Sequence, residues 1–306
     1  MRILDLHADL GMDILKKHQE GETDVLKNRH LDKLKSGEVM YTAAACFFEG
    51  SQNWEEMQEM VLHTRKELQN SDVVWIKSPD DLDENSTKIS LFLTIEGMCG
   101  INADTENRIQ WLRDQGCLIG SLCWNDENTL ATGNGGNPAR GLTQEGIKAV
   151  RKMNELNMVI DVSHANEKTF WDLIEYSEKP VIATHSNARA LCWHDRNLTD
   201  QQIRALAAKG GLIGLNSWKK FIAEDPADQN ALMLAKHARY MADLVGHQHI
   251  ACGFDFMDFL GRDRYDISSA DQAQNLIKGL SETGFSEEEI KDIAYRNAFR
   301  FMRENL

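Results

Sequence analysis

The chain has 306 residues, 42% hydrophobic and 27% charged with only 4 Pro and 21 Gly, which excludes disordered and collagen-like classes and leaves ample material for a large core. Lys and Arg number 34 against 48 Asp and Glu, and the net charge of −14 argues against nucleic acid or an anionic membrane surface as a partner. No apolar run approaches the ~20 residues needed to span a bilayer, so no membrane segment is expected.

Met1-Arg2-Ile3-Leu4-Asp5-Leu6-His7 is expected to enter a strand at once, so no signal peptide is expected. Short apolar runs then recur at residues 2–6, 41–48, 91–95, 118–123, 158–162, 181–184, 212–215 and 250–254, each followed by a segment of helical period. A ninth run, 73–76, is isolated between Ser71-Asp72 and Ser78-Pro79 and predicts a peripheral strand. Among the helical stretches, 53–70 carries Trp54, Met57, Val61, Leu62 and Leu68 at helical spacing, and 141–156 carries Thr143 before Ile147, Val150 and Met153. Thr199 followed by Gln202 predicts a capped start leading into Ile203, Leu206 and Ala207, ended by Gly210-Gly211. The tail 286–305 opens Ser-Glu-Glu-Glu and is expected to be helical, burying Ile290, Ile293, Ala294 and Phe301.

Near-continuous apolar strands separated by helices predict parallel pairing with both faces covered. Eight such units in about 255 residues predict an α/β fold of the (β/α)₈ TIM-type barrel, a single domain over residues 1–306 with a C-terminal helix. An open doubly wound sheet is the alternative, but it gives no reason for charged residues directly after so many strands. The loop at 125–140 is rich in glycine but lacks the Gly-Lys-Ser/Thr ending of a phosphate loop, so a lid or substrate loop is expected. The polar stretch 259–269 reads as a solvated connection. Cys46, Cys99, Cys117, Cys123, Cys192 and Cys252 show no C-x-x-C pairing and read as reduced thiols of a cytoplasmic protein.

In such a barrel the active site is built at the C-terminal ends of the strands. His7 and Asp9 follow the first strand, spaced so that both point to one side of extended backbone. Glu96 follows the third strand, His164 the fifth, His185 the sixth and Asp255 the eighth. The other histidines (His18, His30, His63, His194, His237, His247 and His249) occupy ordinary polar or helical contexts. Imidazole and carboxylate together suit Zn²⁺ or another borderline divalent ion. Five ligands are too many for one catalytic zinc that must also hold water, but they suit two ions sharing a carboxylate.

The segments Asp5-Leu6-His7-Ala8-Asp9, Thr94-Ile95-Glu96-Gly97, Leu122-Cys123-Trp124-Asn125 with Asn128, Asp161-Val162-Ser163-His164, Thr184-His185-Ser186, Arg196-Asn197-Leu198-Thr199-Asp200, Gly210-Gly211 and Gly253-Phe254-Asp255-Phe256 occur in that order. On them, over nearly the whole chain, the sequence resembles the membrane (renal) dipeptidase family of the amidohydrolase superfamily. The resemblance implies two Zn²⁺ per chain: His7 and Asp9 on the first, His164 and His185 on the second, Glu96 bridging. It implies a bridging hydroxide as nucleophile and Asp255 as the acid/base that shuttles its proton to the leaving amine. It assigns Arg196 to the C-terminal carboxylate of a dipeptide, through a charge-assisted fork. The expected activity is hydrolysis of dipeptides, with a D-residue tolerated at the C-terminal position, and a homodimer is the oligomer that relatives suggest.

The sequence departs from the pattern at Trp124, where mammalian-type members carry a histidine that polarises the scissile carbonyl. Asn125 or Asn128, or the zinc itself, is left to supply that role, and Trp124, Asn125 and Asn128 are the expected substrate contacts. Tyr295-Arg296-Asn297 stands where glycines commonly precede the asparagine, a matter of packing. Without the secretion signal, anchor tail and cysteine pairs of animal members, a compact bacterial-type relative is expected. The alternatives are another amidohydrolase reaction, on a cyclic amide or lactone, and a non-catalytic metal- or peptide-binding barrel.

Overall fold

Each apolar run becomes a strand in the computed structural model, which describes residues 1–306. The strands are β1 (Ile3–Asp5), β2 (Val39–Phe47), β3 (Val74–Ile76), β4 (Ser90–Glu96), β5 (Cys117–Ser121), β6 (Val159–Asp161), β7 (Val181–Ile182), β8 (Ile213–Leu215) and β9 (Ile250–Cys252). Every pairing among them is parallel, in the order β7-β6-β5-β4-β2-β1-β9-β8, with β3 attached to the outside of β4 as the isolated run predicts. The two ends of this ribbon meet just past the two-residue β7, where Ala183 donates to Leu212 O (2.9 Å) and Gly214 donates to Ala183 O (2.8 Å). That contact closes the barrel and leaves no open edge for a doubly wound sheet. Closure brings backbones together: a Cβ at Gly214 or Gly253 would stand 1.9 or 1.7 Å from Thr184 O, so neither position has room for a side chain.

Helices α1 (Leu10–Gln19), α2 (Leu31–Ser36), α3 (Trp54–Asn70), α4 (Thr105–Asp114), α5 (Gln144–Glu155), α6 (Glu167–Tyr176), α7 (Asp200–Ala208), α8 (Lys219–Ile222), α9 (Ala231–Val245) and α10 (Gln274–Glu282) lie between and around the strands, followed by α11 (Glu287–Lys291) and α12 (Asn297–Asn305). No helix is long and apolar enough to cross a membrane. Their starts follow the local chemistry. Thr199 and Gln202 exchange side-chain-to-backbone bonds at the head of α7, and Asn53 with Glu56 does the same at α3. The tail departs from the single helix that its pattern predicts. A wider π-type turn over Asp292–Arg296 separates α11 from α12 and seats the buried Asn297 amide on the carbonyls of His247 (2.7 Å) and Ile250 (2.9 Å).

Two apolar cores result. One fills the layer between strands and outer helices. The other lies inside the barrel, where Leu4, Leu6, Tyr41, Phe92, Leu118, Val159 and Leu212 meet Phe299, Phe301 and Met302 of α12. Tyr41 and Phe299 meet edge to face at 5.6 Å, so α12 stoppers the N-terminal end of the barrel. The opposite end, where strands finish in polar residues, is left for chemistry.

Candidate active site

A cavity of about 760 Å³ opens over the C-terminal ends of the strands. Asp9, Glu96, Trp124, Asn125, His164, Arg196 and Asp255 line it, and His7 and His185 lie buried within the same cluster. Glu96 is the last residue of β4 and points one oxygen each way. Its Oε2 is 3.4 Å from His7 Nε2, while its Oε1 is 2.7 Å from His164 Nε2 and 3.2 Å from His185 Nε2. On the far side of His7 stand Asp9 Oδ1 at 3.4 Å and Asp255 Oδ1 at 4.0 Å.

Local structure holds these groups in place. Asp5, ending β1, accepts from the amides of His7 (3.2 Å) and Phe254 (2.8 Å), which ties the segments after β1 and β9 together. Burial, against those two bonds, pushes the Asp5 carboxyl up to about 7. His164 and Asp255 both adopt left-handed backbone, with φ of 69° and 62°, a conformation costing roughly 1–3 kcal/mol for a non-glycine residue and kept only where surrounding bonds over-determine it. For Asp255 those bonds are its own amide to His7 O (3.1 Å) and the Asn216 amide to its Oδ2 (3.2 Å).

The hydrogen-bond partners also decide the tautomers. Thr184 gives its one hydroxyl proton to Asp161 Oδ2, so it accepts from His185 Nδ1 (2.7 Å) and leaves the His185 Nε2 lone pair facing inward. Asn125 Oδ1 accepts from His164 Nδ1 at 2.8 Å with the same result. Two Nε2 atoms then face each other at 3.0 Å beside a carboxylate oxygen, with no donor among them. His7 Nε2 and Asp9 Oδ1 are likewise buried without a hydrogen-bond partner. A cation between these atoms satisfies all of them, and the donor set of nitrogen and carboxylate oxygen suits a borderline divalent metal.

The electrostatics agree. Burial and the Arg196 charge push His164 down to about 4, and burial with the His7 charge holds His185 well below its usual range. Burial disfavours a charge on His7, yet Glu96 and Asp9 outweigh it and hold His7 well above its ordinary value. Burial raises Glu96, but His7 and His164 overcome that and keep it ionised. Burial and Glu96 push Asp9 up to about 6, and burial with Asp9 pushes Asp255 well above the carboxylate range. A pocket that draws a proton onto His7 is one that draws a metal cation.

Among the remaining expected residues, Trp124 stacks edge to face on Phe47 at 5.1 Å and forms an apolar wall, and Asn125 orients His164. Asn128 does not line the cavity. Its amide donates to Leu122 O (2.7 Å) and accepts from the amides of Leu130 and Ala131, so its polar atoms pin the loop after β5 instead of facing substrate. Arg196 is 5% exposed and bonds only His185 O and Ser186 Oγ; its Nε has no partner and no carboxylate lies within ion-pair distance. Sequence reasoning assigned nothing to Asp161, Thr184 or Asn216, which orient His185 and Asp255. The available signal was a polar residue closing an apolar run, as at Glu96.

A closed parallel barrel with imidazoles and carboxylates gathered at its strand ends defines a metal-dependent hydrolase of the TIM-barrel class. The family model for membrane dipeptidases (peptidase family M19) matches residues 1–305. An uncharacterized dipeptidase of Schizosaccharomyces pombe is 26% identical over 335 aligned positions, covering 99% of this chain and 80% of that one. A Klebsiella pneumoniae protein from the pqqA 5′ region is 36% identical over 189 residues, 59% of this chain and 69% of the relative. A metallopeptidase of Rhodobacter sphaeroides, solved with a phosphinate mimic of L-Ala-D-Ala, superimposes with a TM-score of 0.88 at 21% identity, covering 100% and 99% of the two chains, and thereby shares the fold. The chain belongs to the membrane dipeptidase family, M19. It is a metallo-dipeptidase, of a family that implies metal ions at this cluster.

Proposed function

We propose that the chain hydrolyses the single peptide bond of dipeptides at a pair of zinc ions, His7 and Asp9 holding one, His164 and His185 the other, and Glu96 bridging. The observation that carries the reading is the Glu96 carboxylate, whose two oxygens address His7 on one side and the paired imidazoles on the other. Divalent ions held there would lower the pKa of a water toward ~7 and polarise the scissile carbonyl.

The chain's own groups do the rest. Asp255 stands beside His7 with one oxygen held by Asn216 and the other free, placed to take the proton of the attacking water and hand it to the leaving amine. The buried Arg196 guanidinium, with no carboxylate partner and its Nε unbonded, fits a substrate carboxylate and so limits the substrate to one residue beyond the cleaved bond. Phe47 and Trp124 exclude water on the opposite wall. The L-Ala-D-Ala mimic held by the Rhodobacter relative supports a D-residue at the C-terminal position here. Six free cysteines, five of them buried, support a reducing cytoplasmic setting.

The test is a panel of L,L and L,D dipeptides with metal analysis on the same sample. Two zinc ions per chain and turnover of L-Xaa-D-Xaa are expected, and an inert panel would sink the reading. Asp255→Asn should lower kcat by about 10²–10⁴ while both ions stay bound. Loss of one ion together with the rate would make Asp255 a ligand and not the proton carrier.

A further inference from the structure

Arg196 gives the cavity a direction. It sits in the loop after β7, and its buried Nε, aimed at no partner, marks the end that takes an anion. Lys220, just past β8, lines the same flank, exposed and without hydrogen-bond or ion-pair partner for its ammonium; exposed Asp195 also lines that flank, near His194 and Lys220. In the barrel order, β2 lies four strands from β7 in either direction, so the loop after β2 faces Arg196 across the cavity. That loop carries Glu49, an exposed cavity-lining residue whose carboxylate makes no hydrogen bond or ion pair. Outside the cavity lining, exposed Asp126 approaches the next residue of that loop, since a Cβ built on Gly50 would lie 3.5 Å from its Oδ2. The only Lys and Arg lining the cavity, Arg196 and Lys220, are both on the far side.

We propose that Glu49, with Asp126 close to its loop, selects a cationic side chain on the N-terminal residue of the dipeptide. The proposal rests on the dipeptidase reading. If Arg196 takes the C-terminal carboxylate and the scissile bond lies over Glu96, the N-terminal residue occupies the β2 half of the cavity. The aliphatic stem of a lysine or arginine then runs along Met12, Phe47 and Trp124, and its head reaches Glu49. An acidic side chain in that place meets Glu49 with no cation to neutralise it.

The experiment compares kcat/KM of the metal-loaded enzyme for Lys-Ala, Arg-Ala, Leu-Ala and Glu-Ala, with D-alanine versions alongside. Lys-Ala and Arg-Ala should exceed Leu-Ala by about five-fold, the scale of one partly solvated ion pair, with Glu-Ala below all three. In Glu49→Gln the Lys-Ala to Leu-Ala ratio should fall toward one, and in Glu49→Lys the order of Lys-Ala and Glu-Ala should reverse. Cleavage of all four with no cationic preference, or a ratio unmoved by Glu49→Gln, overturns this proposal and leaves the dipeptidase reading intact. No turnover of any dipeptide brings down the dipeptidase reading itself, and this proposal with it.

Discussion

Thr184 acts on the site at one remove. Its hydroxyl proton goes to Asp161, and that commitment fixes which nitrogen of His185 faces the cluster. Thr184→Val keeps the shape and removes the acceptor, freeing the imidazole to rotate or change tautomer. Metal affinity in chelator competition should fall about 10–100-fold, beyond the loss of about 1–3 kcal/mol that the metal-free protein shows because buried Asp161 is left without its donor. That His7, Asp9, Glu96, His164, His185 and Asp255 gather in one cluster was legible in the sequence, because each stands where an apolar run stops. The partners that orient them were not. A threonine or asparagine finds its acceptor on a neighbouring strand, and no spacing along the chain reports that neighbour. Asn128 is the reverse case: its place in a family-like segment suggested a substrate contact, but the backbone groups of its own loop occupy its amide.

Among the elements, α1 follows Asp9 directly, so whatever anchors α1 also steadies a cluster residue. The anchor is Asp13, which takes a bidentate bond from Arg29 (2.7 and 3.0 Å) and one from His30 (2.8 Å), fastening the turn before α2 onto α1. Burial opposes the Asp13 charge, but His30 and Arg29 overcome it and pull the carboxyl from 3.8 down to about 2. A folded pKa below the unfolded one means stability that is fully present above pH ~4 and lost as pH falls toward 2. The contribution is about 1–2 kcal/mol, less than full linkage because Arg29 is partly open to solvent. Denaturation curves across that window should show Asp13→Asn less stable than wild type at pH 5, with the gap closing near pH 2. The helix starts at α3 and α7 were readable from their capping residues. The π-type turn before α12 was not, because the carbonyls that capture Asn297 belong to the segment around β9.

Across the whole molecule, the site joins parts of the chain that are far apart in sequence, with His7 near the start, Asp255 near the end and Glu96 between. Orphaned nitrogens and carboxylates at that junction oppose one another until a cation sits among them, so metal binding and global stability are coupled. Removing metal with a chelator should lower the melting temperature, and zinc should restore it in a concentration-dependent way, as for any ligand bound only by the folded state. Scanning calorimetry with and without chelator checks this, and equal midpoints would count against ions in the cluster.

The order of apolar runs was enough for the number of strands, their parallel pairing and the residue types at their ends, because periodicity and chain breaks are local properties. Even the outlying ninth run, and the burial of Ile290, Ile293, Ala294 and Phe301, could be read in that way. Which lone pair faces which, and that Glu49 looks across at Arg196, depend on the contact of Ala183 with Ile213 that turns a ribbon into a ring. Closure is a long-range event, governed by backbone stagger and by the room that Gly214 and Gly253 leave, so only the folded chain could decide it.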